Sequence, residues 1–111
     1  MRIKQRTVGS VTVLDLHGRL TRNDGYGEIR AALGVLLKQG HARFLLNLAD
    51  VPYMDSTGIG ELASVLITVQ NHKGTLKLVA LPTRIRELFE VARLVTVFEL
   101  FDDEADALQT F

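Results

Sequence analysis

The sequence predicts an α/β domain with a mixed, mostly parallel sheet of about five strands covered by about four helices, in the order β-β-α-β-α-β-α-β-α. Three observations carry that expectation. The hydrophobic period switches repeatedly between two and about 3.6 along the chain, the mark of strands alternating with helices. Helix-length segments separate the later strands, which should therefore pair mainly in parallel through right-handed crossovers. The 111 residues, 47% of them apolar, suffice for one core and leave no room for a second, so residues 1–111 read as one domain.

Each element has its own signal. Residues 2–8 and 11–17 alternate as two strands across Gly9-Ser10, a dipeptide suited to a tight hairpin turn, so this first pair should be antiparallel. Tyr26, Ile29, Leu33, Leu36 and Leu37 form one apolar stripe on a helix starting near Asn23 or Asp24 and stopping before Gly40. Residues 43–48 are an almost continuous apolar run, as a central strand covered on both faces requires. Ile59, Leu62, Ala63, Leu66 and Val69 mark a second helix closed by Lys73-Gly74. A strand over 75–81 ends at Pro82, and Ile85, Leu88, Phe89 and Ala92 give a third helical stripe. A short strand from Val95 to Leu100 and an acidic final helix from Asp102 to Leu108 complete the order; its acidic cluster reads as a solvated helix start.

Composition excludes several functions. The formal net charge is zero with 23% charged residues, and no stretch interleaves clustered Lys/Arg with aromatics, so nucleic acid is not an expected partner. No cysteine is present, which removes disulfides, thiolate chemistry and Cys-based zinc sites and fits a reducing compartment. His17, His41 and His72 are too far apart for a familiar metal-ligand spacing, and no metal or other cofactor is expected. The first residues lack a secretory apolar segment and no run approaches the ~18 apolar residues of a membrane span. The expectation is a cytoplasmic protein that does not engage a membrane.

The stretch Val51-Pro52-Tyr53-Met54-Asp55-Ser56-Thr57-Gly58-Ile59-Gly60-Glu61-Leu62 raises the functional question. Asp55 or Ser56 alone could cap the following helix, a contribution of about 1 kcal/mol. One cap needs one oxygen, however, while Asp55, Ser56 and Thr57 supply three, and Gly58 and Gly60 each weaken the first turns by about 1 kcal/mol relative to Ala. Glycines belong there if another backbone or surface must come close. Catalysis by Ser56 is poorly supported: a nucleophile elbow needs Gly where Met54 stands, and no histidine or acid is placed to form a triad. Gly58-Ile59-Gly60 is a poor phosphate loop, because Glu61 follows where a Lys is required and would repel phosphate. A phosphoryl group on Ser56, by contrast, would bring about −1.5 to −2 charges to a helix start that can hold them. One like-charge pair ~5 Å apart at an effective dielectric of 20 costs a docked partner about 3 kcal/mol, over a hundredfold in affinity. Such residues suit a binding switch.

The chain resembles STAS domains (sulfate transporter and anti-sigma factor antagonist), and specifically the stand-alone bacterial anti-sigma factor antagonists. The resemblance runs through Gly18-Arg19-Leu20, the block from Phe44 to Leu62 with its Asp55-Ser56-Thr57-Gly58-Ile59-Gly60 core, Gly74 to Leu94, and the ending from Val97 to Leu108. It implies partner switching: the unphosphorylated antagonist binds an anti-sigma factor that is also an ATP-dependent serine kinase, and release follows phosphorylation. A serine phosphatase restores binding. On this resemblance Ser56 is the phosphoacceptor, Asp55 presents it, Thr57 is a second hydroxyl, and Gly58 and Gly60 admit the partner. The protein is then a substrate and an inhibitor, with no enzymatic activity. The family often carries Gly-Glu-Leu-Asp after the second strand, whereas this chain has Gly18-Arg19-Leu20-Thr21 followed by Arg22 and Asn23. Thr21, Arg22 and Asn23 either lie beside Ser56 and help select a partner or form a solvated loop with a helix cap. The alternative function is a STAS regulatory or nucleotide-sensing scaffold outside sigma control, with a hydrolase third.

Overall fold

In the computed structural model, which describes residues 1–111, strands β1 (Arg2–Val8) and β2 (Val11–His17) form the antiparallel hairpin, paired from Arg2↔His17 to Val8↔Val11. The chain continues through α1 (Glu28–Lys38), β3 (Arg43–Asp50), α2 (Ser56–Asn71), β4 (Thr75–Val79), α3 (Thr83–Val91), β5 (Leu100–Phe101) and α4 (Glu104–Leu108). The spatial order is β1-β2-β3-β4-β5, with β2 through β5 parallel. Every crossover steps to the next position in the same direction. Right-handed connections of that kind lay α1, α2 and α3 on one face of the sheet.

The packing follows. Ile29, Leu33 and Leu36 of α1, Leu62, Val65, Leu66 and Val69 of α2, and Ile85 and Phe89 of α3 close over Leu14, Leu16, Phe44, Leu46, Leu48, Leu76 and Leu78 in one core of 21 buried residues. The opposite face holds only a small cluster, where Ala107 of α4 sits on Val11, Val13, Leu45 and Val79. Central strand β3 is thus covered on both faces only over its first half; Ala49 and Asp50 are exposed. Beside α4 this outer face is polar. Arg6 donates to Asp15 at 2.6 and 2.9 Å and to Glu104 at 2.7 and 3.2 Å, and the Asn47 amide donates to Asp15 at 2.9 Å. The Arg6 guanidinium, aided by Asn47, holds the Asp15 carboxyl below the usual carboxylate range. The acidic ending is accordingly engaged: Asp103 caps α4 through Asp106 N–H, Glu104 pairs with Arg6, and Asp102 pairs with Arg86 at 2.7 Å.

Several boundaries differ from expectation: β3 runs on to Asp50, α4 starts only at Glu104, and three others have a visible cause. Helix α1 begins at Glu28, because Thr21 Oγ1 accepts from the N–H groups of Asn23 and Asp24 and closes a turn there, and Gly27 at φ 86° precedes the first helical residue. Tyr26 is consequently an exposed loop residue. The last strand is two residues long: Val97 and Phe98 N–H both return to Leu94 O, which turns Phe98 into the core against Phe89, ring centroids 5.5 Å apart. Strand β4 ends at Val79, since Ala80 adopts φ 61°. No helix is long and apolar enough to cross a membrane.

Candidate functional site

The site grows from the parallel alignment of β2 and β3, which persists beyond both strand ends. Gly18 N–H donates to Asp50 O at 3.1 Å, Leu20 N–H to Tyr53 O at 3.0 Å, and Asp55 N–H to Leu20 O at 3.3 Å, while Leu20 and Met54 form an isolated parallel bridge. Both bridge residues are buried. The loop after β2 is thereby laid along the start of α2, and residues far apart in sequence meet.

Asp55 is the N-cap of α2, with Oδ1 accepting from Gly58 N–H at 2.9 Å and Oδ2 accepting from Arg22 N–H at 3.1 Å. Those backbone bonds, Gly58 first and Arg22 second, hold its carboxyl below the usual range. One carboxylate therefore fixes both the helix start and the neighbouring loop. Ser56, the first residue of α2, is exposed, and its hydroxyl has no partner in the side-chain hydrogen-bond network around it. Thr57 is half-buried.

The two glycines differ. Gly58 is buried, and a Cβ there would lie 2.8 Å from Met54 Cγ and closer still to the Leu20 carbonyl oxygen, so the close approach at this position is to the chain's own loop. Gly60 is exposed with nothing within 4 Å of its Cβ position, leaving room for an outside surface. Ser56, Gly60 and Ile67 are exposed along α2 at i, i+4 and i+11 spacing, Ile67 at 57%, while Ala63 between them is half-buried against the core.

Arg22 and Asn23 are exposed beside Asp55, whereas Thr21 is buried and turned into its own loop, its hydroxyl donating to Asp24 at 3.3 Å. Sequence reasoning singled out neither Arg19 nor Tyr53 as a site residue. The Arg19 guanidinium lies over the Tyr53 ring at 5.2 Å and 3.9 Å from Asp24. Glu61 does not face this rim. Its buried carboxylate accepts from Gly27 N–H at 2.6 Å and Arg30 N–H at 3.3 Å, capping α1 from the neighbouring helix. The three histidines stay apart: His17 Nδ1 lies 2.9 Å from Asp50, His41 bonds Thr12 and His72 bonds the Thr68 carbonyl. No group of three or more metal-ligating side chains converges anywhere.

Comparison with known proteins agrees with this architecture. The pattern of the STAS domain matches residues 2–107. The anti-sigma-B factor antagonist of Bacillus subtilis is 36% identical over 72 residues, spanning 65% of this chain and 65% of that protein, just under two thirds of its length. An anti-sigma factor antagonist from Mycobacterium paratuberculosis has the same fold at a TM-score of 0.85 and 19% identity, covering 98% of this chain and 92% of the other. The phosphorylated form of the Bacillus cell fate determinant SpoIIAA superposes at a TM-score of 0.74 with 21% identity, covering 98% of each chain. With its matched span and its fold in agreement, the chain belongs to the STAS domain family.

Proposed function

We propose that the protein is an anti-sigma factor antagonist whose grip on an anti-sigma factor is released by phosphorylation of Ser56. One observation carries the reading: an exposed, unbonded hydroxyl stands at a helix start whose backbone is pinned from both sides by Asp55. The name of the Bacillus subtilis relative supports the antagonist assignment. In the proposed cycle the partner is also a serine kinase. Ser56 Oγ forms a bond to the γ-phosphorus of ATP as the bond to ADP breaks, and the hydroxyl proton passes to a base on the kinase. A serine phosphatase reverses the modification.

Ser56, Asp55, Arg22, Asn23 and Gly60 form the contact surface in this reading, with Thr21 and Gly58 shaping it from beneath and Thr57 beside the phosphoacceptor. The chain acts as substrate and inhibitor in the cytoplasm and catalyses nothing itself. The Asp55 carboxylate is engaged by two N–H groups, and no imidazole is bonded to Ser56. The sheet order also lacks the reversal at which open α/β sheets form ligand crevices, which favours a protein surface over a nucleotide pocket.

The test combines a candidate kinase, ATP and the purified chain. One phosphoryl group should enter the wild type and none Ser56→Ala, which keeps partner binding. Ser56→Asp should bind at least tenfold more weakly. Equal labelling of Ser56→Ala, or equal affinity of modified and bare chains, would overturn the reading.

A further inference from the structure

We infer that Arg19 and Arg22 form a built-in receptor for the phosphate on Ser56, and that the same guanidiniums hold acidic side chains of the partner while the hydroxyl is bare. The inference rests on the proposed modification of Ser56 and assigns its regulation to two residues.

Position is the first argument. Both arginines lie on the loop bound to the start of α2, where Arg22 N–H donates to Asp55 at 3.1 Å and the intervening Leu20 carbonyl accepts from Asp55 N–H at 3.3 Å. Availability is the second. Arg6, Arg30, Arg43 and Arg86 are committed to Asp15 and Glu104, Ser64, Ser10 and Asp102 respectively. Arg22 is exposed and joins none of the ion pairs, and Arg19 holds Asp24 only at 3.9 Å while lying over Tyr53. A guanidinium resting on an aromatic face keeps a planar fork of donors free, and that fork fits the oxygens of a phosphate or a carboxylate.

Charge makes the exchange directional. Arg19 and Arg22 stand with Asp24 and Asp55 on the loop and helix start around Ser56, and Tyr53 is neutral; the same end of the sheet carries the His17–Asp50 pair, Arg2 at the start of β1, the Met1 ammonium paired with Glu28, and Arg84 near the start of α3. A phosphoryl group adds up to two negative charges and three acceptor oxygens at the centre. Both arginines belong to the loop bonded to that helix start. A partner that docks carboxylates on them then suffers twice: it loses those contacts to the phosphate and meets a repelling anion.

The experiment uses the full chain with phosphoserine installed at position 56 during translation. In a 31P NMR titration the phosphoserine of the otherwise wild-type chain should lose its second proton roughly half to one pH unit below the usual value of about 6, because nearby cations favour the dianion. Arg19→Ala/Arg22→Ala should raise the midpoint toward that value, Arg22→Lys should retain more of the shift than Arg22→Ala, and Arg43→Ala should leave it unchanged. The same midpoint with and without the two arginines would overturn the receptor. A poly-glutamate peptide at low salt probes the second half. It should perturb the Nε–H signals of Arg19 and Arg22 in the bare chain and spare them in the phosphoserine chain; perturbation spread evenly over all exposed basic residues would overturn it. Neither readout needs a kinase, so failure of the proposed phosphorylation cycle and failure of this receptor are separately visible.

Discussion

At the scale of single residues, the two glycines of α2 make opposite predictions. Gly58→Ala drives a methyl group into Met54 and into the Leu20 carbonyl, which cannot yield without moving the loop, so a loss of about 1–3 kcal/mol is expected in urea unfolding. Gly60→Ala enters open space and should stabilise the chain by about 0.5–1 kcal/mol. If the partner passes closely over Gly60, affinity should nonetheless fall in this more stable variant. Asp55 adds a pH signature. Its folded carboxyl is held below the ordinary value of about 3.9, so its contribution is complete above that value and fades as pH falls through the folded one. The stability gap between wild type and Asp55→Asn, measured by denaturant at successive pH values, should therefore narrow as pH falls below about 3.9, the ordinary carboxylate value.

At the scale of elements, α1 depends on a residue of α2. Gly27 offers no capping side chain, and the Glu61 carboxylate takes the orphan N–H groups of Gly27 and Arg30 instead. Glu61→Ala should cost about 2–3 kcal/mol by leaving those donors without an acceptor, and should speed amide exchange at Gly27 and Arg30 before other α1 positions. This contact was not legible in the sequence, where Glu61 stands out only as a charge after two glycines. The apolar stripe of α1, by contrast, was legible because burial follows helical spacing at Ile29, Leu33 and Leu36. The Val95–Leu100 segment misled for a physical reason: β-branched residues favour a strand locally, but core burial of Phe98 against Phe89 demands a turn. The start of α1 misled similarly, since Thr21 serves its own turn before any helix can begin. Within the site, Ser56 and Asp55 were readable from residue chemistry. The nearness of Arg22 was one of two readings, and what decides it, the alignment of β2 with β3 carried beyond the strand ends, was not legible.

At the scale of the whole molecule, uniform crossovers gather every loop that follows a parallel strand at one end, together with the Ser56 rim, and leave the opposite end to Gly9-Ser10, the segment from Gln39 to Ala42, Lys73-Gly74 and the connection from Ala92 to Glu99. Because the Ser56 hydroxyl is exposed and unbonded, phosphoserine at this position should leave the far-UV spectrum unchanged and move the thermal midpoint by less than about 3 °C, a change below ~1 kcal/mol. A larger downward shift would mean that modification acts by loosening the fold. The remote end also offers a handle. Since the chain has no cysteine of its own, Gln39→Cys would create a single thiol, and a dye or tether attached there would report docking from the side facing away from it.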